Sequence, residues 1–410
     1  MIPRTVLEYV ERSMTLYPVV LITGARQVGK TTLCRLIAEK HGYDYVSLAD
    51  VSARRTAQTD PEFFLASHRT PLIIDEVQYV PSLFDHIEAA VDRRKFDTGA
   101  NEGMYILTGS QAYNLMQDVT QSMAGRVAVV EMSPLSVSEV LGREEVPFTA
   151  DARVCAERCR RNPLTQEEVY RMAVRGMYPR LYERSDLTSE EFYSNYVSSY
   201  IERDVTQIVN VTNKLKFLEF MEMMASLTGQ ELVYDRVSSL VGIDIKTVQA
   251  WTSVLVAGGI VRLMRPYVER SNVKRLANRP KLYFCDTGLA CYLARILDPE
   301  SLRAGYMRGP VIETFIVNEI VKSYSNTSKS AAFYYYRDSR QNEIDLIIHR
   351  NGRLHLVECK SGATYDAGDV KAFSRLEGSE FEVGDSCIVC LAEEPYPIRE
   401  GVYALPVSSI

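Results

Sequence analysis

Apolar and polar positions in the first 140 residues fall into short strand-like runs separated by stretches long enough for helices. The runs are VVLITG (19–24), YDYVSLAD (43–50), PLIIDEV (71–77), MYILTGS (104–110) and VAVVEM (127–132), each bounded by turn residues. They are continuous rather than alternating, as in strands buried on both faces, and strand–helix alternation implies a parallel sheet between helical layers. From about 150 to 300 the pattern becomes mostly helical, with polar breaks at 176–186 and 209–213. Within it, 217–265 reads as three helices followed by a β-ribbon, the order of a winged helix-turn-helix, with Gly242 in the turn and 246–256 as the third helix. A third region starts near Tyr306. A helix carrying Val311, Ile312, Phe315, Ile316 and Ile320 precedes strands at 331–338, 343–349 and 354–360, a helix at 367–377 and a strand at 387–392. The expected division is 1–145, 146–300 and 301–410.

Composition narrows the field. The 410 residues are 46% apolar and 24% charged with a net charge of −6, which excludes a disordered chain and one basic throughout. Among 47 basic residues 35 are Arg, a bias toward anion contacts. The eight Cys lack the paired spacing of a zinc ribbon. The amino-terminal MIPRTVLEYVERSMTLYPVV carries charges every few residues, so no signal peptide is expected, and no run of about 18 apolar residues occurs. A cytoplasmic protein with reduced thiols and no membrane partner is the expectation.

Gly24-Ala25-Arg26-Gln27-Val28-Gly29-Lys30-Thr31 fits G-x-x-x-x-G-K-[ST], directly after a predicted strand and opening a helix with Thr32. Glycines let successive backbone N–H groups converge on a phosphate where side chains would collide, and the helix dipole adds to that field. Gly24 to Thr32 are therefore expected to hold ATP, with Lys30 on the β- and γ-phosphates and Thr31 on Mg²⁺. The buried strand PLIIDE puts Asp75 at its carboxyl end, positioned to hold a magnesium-bound water, and Glu76 next to it to polarise the attacking water. Thr108-Gly109-Ser110-Gln111 ends the next strand, with Ser110 expected near the γ-phosphate. Arg126 reads either as a finger reaching a neighbouring subunit's nucleotide, in a homo-oligomer, or as a structural ion-pair residue.

The carboxy-terminal region offers a second cluster. Asp345 ends Glu343-Ile344-Asp345, Glu358-Cys359-Lys360 closes the strand LHLVECK, and Asn351-Gly352 forms a hairpin turn between them. The two carboxylates can meet at one sheet end, with Lys360 on the same face as Glu358. A pair of carboxylates that binds Mg²⁺ against a scissile phosphate, with Lys360 orienting water, is one reading. A fold that binds without cutting, or a chance grouping, are the others. Glu313 on the preceding helix is the candidate third acid, with Glu319 as its substitute. The segment 262–281 holds seven basic residues (262, 265, 270, 274, 275, 279 and 281) against Glu269, which suits phosphate contact with DNA or RNA, or packing between regions. The third helix of the middle region has one cation, Lys246, too little for base reading. Trp251 reads as core.

With GARQVGKTTL, LIIDEVQ, ILTGSQ, SMAGRV, MSPLSVSE, YIERDV, KLYFCDTGLA, RQNEIDLII and LVECKSG, the chain resembles the AAA+ ATPases of bacteria and archaea that carry a fused carboxy-terminal domain of restriction-endonuclease type. That resemblance implies a parallel sheet of order 5-1-4-3-2, a helical and winged-helix middle, and a nuclease-like end. Its nucleotide motifs imply Mg²⁺-dependent ATP hydrolysis. For the rest, the implied choices are coupling to nucleic-acid engagement or cleavage, or a nucleotide-sensing scaffold whose nuclease fold is catalytically dead.

Overall fold

The structure is a computed structural model and describes residues 2–109, 123–201, 214–268 and 279–410. The chain forms two compact units: 1–135 with 257–259, and 136–256 with 260–410. In the first, β1 (Val19–Thr23), β2 (Asp44–Ser47), β3 (Leu72–Asp75), β4 (Tyr105–Thr108) and β5 (Val127–Glu131) make a parallel sheet of order β2-β3-β4-β1-β5. This is the order that the resemblance implies, read from the other edge. Every residue of β1, β3 and β4 is buried, which is why their sequences run apolar without alternation, whereas edge strand β5 alternates. Helices Lys30–His41 and Leu83–Thr98 pack here, and Leu21, Ile74, Leu107, Phe84 and Ile87 share one core.

The second unit opens with helices whose starts the sequence writes plainly. Ser136, Thr165 and Thr188 each cap a helix reciprocally with the Glu three residues on. Helices Lys214–Ser226, Tyr234–Val241 and Ile245–Ala257 follow, the last two bent 104° apart. With them goes a small antiparallel sheet of β6 (Gln230–Glu231), β7 (Val261–Met264) and β8 (Lys281–Phe284), in the order β6-β8-β7. Trp251 is buried between Phe217 and Phe220, as a core residue.

Helix Arg308–Asn326 then leads into β9 (Ala332–Arg337), β10 (Glu343–Arg350), β11 (Arg353–Cys359), β12 (Glu382–Val383), β13 (Ser386–Cys390), β14 (Tyr396–Arg399) and β15 (Val402–Pro406). These form one mixed sheet of order β14-β15-β13-β11-β10-β9, with β12 beside β11. Only a short 3₁₀ turn, Lys371–Arg375, stands where a helix at 367–377 is expected. Gly368 and Gly378 bracket that stretch, and glycine is the costliest ordinary residue inside a helix. Among the described residues no single helix is long and apolar enough to cross a membrane.

Candidate functional site

The phosphate-loop sequence occupies the turn between β1 and helix Lys30–His41. Gly24 and Gly29 sit at φ +143° and +101°, which L side chains rarely adopt. A Cβ at Gly24 would also lie 2.1 Å from the Met132 carbonyl oxygen. The buried Lys30 ammonium donates to the Gly24 and Ala25 carbonyls at 2.9 and 2.8 Å. Its charge is thus held at the mouth of the loop.

Asp75 is 3% exposed and gathers hydroxyls. Thr31 and Tyr45 donate to its Oδ2 at 3.1 and 2.8 Å, and Thr108 donates to Oδ1. The Thr108 oxygen also accepts the Glu76 N–H at 3.1 Å, which ties the ends of β3 and β4 together. Glu76 itself takes a left-handed backbone, φ +60°, a conformation that costs a non-glycine residue about 1 kcal/mol. Gln78 donates its side-chain amide to the Glu76 carboxylate. The chemistry of this set fits the expected ligands. A run of backbone N–H groups and one ammonium suit phosphate, and a hydroxyl beside a carboxylate supplies the hard oxygens that Mg²⁺ prefers.

Tyr45 is the member that sequence reading missed, because a tyrosine in a strand looks like any other strand former. Ser110 lies outside the described residues. Arg126 lies in the same unit and makes a forked pair with Asp92, two contacts at 2.8 Å, and a third contact with Glu88 at 3.0 Å.

In the second unit, Asn351 and Gly352 adopt positive φ and join β10 to β11 as the expected hairpin. Continuing the register from Leu346 opposite Val357 brings Asp345 opposite Glu358. A bulge sets Asp345 and Leu346 against a single residue of β9, between Ile344–Tyr336 and Ile347–Tyr334. Such an irregularity re-aims a side chain at a strand end. The expected partners then divide. The Lys360 ammonium meets Glu358 Oε1 at 2.6 Å, and the buried Glu358 Oε2 has no hydrogen-bond partner. Asp345 turns elsewhere: Oδ2 accepts the Cys359 N–H at 3.0 Å, and Oδ1 meets the ammonium of Lys281 at 3.1 Å.

Lys281 changes the picture of this site. Expected as one of the phosphate-contacting cations of 262–281, it is instead 2% exposed and paired with Glu313 at 2.7 Å, Glu343 at 2.6 Å and Asp345. Of the other cations in that segment, Arg265 and Arg279 are exposed and Arg262 donates to Asn318, while residues 270, 274 and 275 lie outside the described residues. Glu313 also accepts the Tyr283 hydroxyl at 2.7 Å. Glu319 is spent on Lys322 and on the Val137 N–H at 2.8 Å, so it does not join the cluster.

Burial, then the Asp345 charge, push the Glu313 carboxyl up to about 7 against the pull of Lys281. The same two causes hold Glu358 well above the usual carboxylate range against Lys360. Burial works against the Lys281 ammonium, yet Glu313, Tyr283, Asp345 and Glu343 outweigh it and raise its pKa. Among the described residues no group of three or more His, Cys, Asp or Glu is arranged to hold a metal ion. Of the three acids expected to share Mg²⁺, Asp345 and Glu313 are turned to Lys281 and Glu358 to Lys360. A signal was present in the sequence: Lys281 and Tyr283 stand two apart on one strand, as do Glu343 and Asp345 on another, so each pair shares a face.

Comparison with known proteins divides the chain into three. Residues 16–141 match the AAA domain, residues 166–300 match a domain of unknown function (DUF8612), and residues 308–410 match another domain of unknown function (DUF4143). The chain is 26% identical over 400 residues to the uncharacterized protein Rv2008c of Mycobacterium tuberculosis, covering 97% of this chain and 82% of the relative. The uncharacterized protein Mb2031c of Mycobacterium bovis matches to the same extent. Among solved structures, the Walker-type ATPase PABY2304 of Pyrococcus abyssi aligns with a TM-score of 0.42 at 14% identity, over 70% of this chain and 94% of that one. AMPPCP-bound DnaA from Aquifex aeolicus aligns at 0.28 and 16% identity, over 61% and 85%. The two mycobacterial relatives that span nearly the whole chain are uncharacterized, and the AAA match covers the stretch that holds the phosphate loop and Asp75.

Proposed function

We propose that this protein binds and hydrolyses ATP with Mg²⁺ in its first unit, and that the cycle sets how its carboxy-terminal region engages nucleic acid. The observation that carries the first half is the hydrogen bond between Thr31, in the first helical turn after the phosphate loop, and the buried Asp75. Phosphate-loop and strand-end oxygens meet there as magnesium and triphosphate chemistry requires. In this reading the backbone of 24–29 cradles the phosphates, and Lys30 leaves the Gly24 and Ala25 carbonyls for the β- and γ-oxygens. Glu76 orients the attacking water, with Gln78 steering its carboxylate. Bound Mg²⁺ supplies charge neutralisation on the phosphate oxygens. Titrating nucleotide-free protein with an ATP analogue, with and without Mg²⁺, tests this directly. Binding that is indifferent to both the metal and Lys30→Ala would remove the assignment.

For the second half, the exposed Arg265 and Arg279 support phosphate contact beside the small β6-β8-β7 sheet, in the manner of a winged helix. Binding of duplex or single-stranded nucleic acid should weaken steeply with salt. A flat salt dependence would assign the basic segment to packing instead. A second reading, a nucleotide-sensing switch whose restriction-endonuclease-like fold binds without cutting, is favoured by the lysine among the carboxylates of that fold.

A further inference from the structure

We propose that Lys281 is the resident cation of Glu313, Glu343 and Asp345 in the carboxy-terminal acidic cluster, and that the cluster works without metal. This rests on the reading of the carboxy-terminal fold as one that binds without cutting, and gives that reading its physical cause.

An ammonium has three N–H donors. Lys281 has three carboxylate partners within 3.1 Å, from helix Arg308–Asn326 (Glu313) and from β10 (Glu343 and Asp345). Donors and acceptors match one for one. The acceptors are committed on their other sides too. Glu313 Oε1 also takes the Tyr283 hydroxyl, Asp345 Oδ2 takes the Cys359 N–H, and Glu343 Oε2 faces Arg337 at 3.6 Å.

A divalent ion at this place would need the same oxygens at about 2.0–2.6 Å. It would have to expel a lysine that is 2% exposed, leaving a buried ammonium with no counter-charge. The strand that carries Lys281 is itself pinned. The Phe284 N–H donates to Thr228 at 3.1 Å, and the Phe284 carbonyl accepts from Asn318 at 2.7 Å. The lysine is delivered by β8, the strand at the end of the basic 262–281 segment, so the small sheet and the nuclease-like sheet share one charge cluster.

The test is calorimetric titration of Mn²⁺ into the full-length, nucleotide-free protein, counting only the binding that Asp345→Asn removes. Wild type should show none. Lys281→Met should gain a site at least about 10-fold tighter than any in the wild type, lost again on adding Asp345→Asn. Wild-type binding that depends on Asp345 would overturn the proposal, and so would a folded Lys281→Met protein as blind to metal as the wild type. Should Lys281→Met fail to fold without metal, Lys281→Met/Glu343→Gln removes one uncompensated charge and takes its place under the same criteria. The readout involves neither ATP nor a nucleic-acid partner, so loss of the proposed coupling would leave this assignment standing, and the reverse.

Discussion

Asp75 and Asp345 invite comparison. Each is a buried carboxylate in a sheet strand, in a different compact unit, and each follows an apolar residue of a predicted strand. Their surroundings differ in kind. Around Asp75 the donors are three neutral hydroxyls, from Thr31, Tyr45 and Thr108, and the nearby Lys30 bonds to backbone carbonyls that a phosphate can replace. Around Asp345 the donors are the Cys359 N–H and a buried ammonium already shared among three acids. A carboxylate solvated by hydroxyls keeps an appetite for an outside cation, and one neutralised by lysine does not. The same residue type in the same kind of place is ringed by hydroxyls in one unit and by an ammonium in the other.

Substitutions should pull the two apart. Lys30→Ala should weaken ATP binding by about 100-fold or more, because the lost charge interaction is largely desolvated. Glu76→Gln should still bind ATP in a titration while turnover falls by about 10²–10³-fold in a phosphate-release assay. Full turnover in Glu76→Gln would assign the water-orienting role to another residue. The two aspartates give the sharper contrast. Asp345→Asn should cost about 3 kcal/mol in denaturant unfolding, since it strips a buried lysine of a partner, and leave ATP turnover intact. Asp75→Asn should do the opposite, sparing stability and abolishing turnover. Equal stability losses at both positions would erase the distinction.

Arg126 lies between these extremes. Its pairs with Asp92 and Glu88 are partly solvent-exposed, so Arg126→Ala should cost the fold less than about 1 kcal/mol. If turnover also collapses, and mixing with Lys30→Ala protein restores part of it, the side chain completes a neighbouring subunit's site. An unchanged turnover would leave it as the ion-pair residue. Tyr45→Phe removes one hydroxyl from Asp75 and should cost about 1 kcal/mol, read as a few-fold rise in the Mg²⁺ needed for half-maximal turnover. The smallest effect is one of pH. Because the folded Glu313 titrates near 7, above its usual 4.5, it adds stability at acid pH that is lost as pH rises between those values. In Glu313→Gln that part of the slope should vanish from a pH series of melting curves.

How legible each site is in the sequence follows from the same contrast. The phosphate loop is local: eight consecutive residues fix the turn, the ammonium and the hydroxyl, and a buried strand delivers Asp75. The hairpin joining β10 and β11 is equally local, written in Asn351-Gly352. Lys281 is not. Its partners lie 32, 62 and 64 positions away, and among the basic residues of 262–281 a lysine reads as a solvated charge until tertiary packing closes over it. The bulge at Asp345 is a mismatch between two strands and has no signature within either one. The missing helix at 367–377 shows the converse, an apolar pattern overruled by two flanking glycines.

Trp251, the single tryptophan of the chain, is 6% exposed and sits edge-on to Phe217 and Phe220, with ring centroids 5.0 and 5.4 Å away. Emission excited at the red edge, where the tyrosines are dark, therefore comes from one address in the helical middle of the second unit. A change in that emission on adding ATP would show that this helix of the second unit responds to nucleotide. The protein carries its own optical reporter for the second unit, with no label to attach.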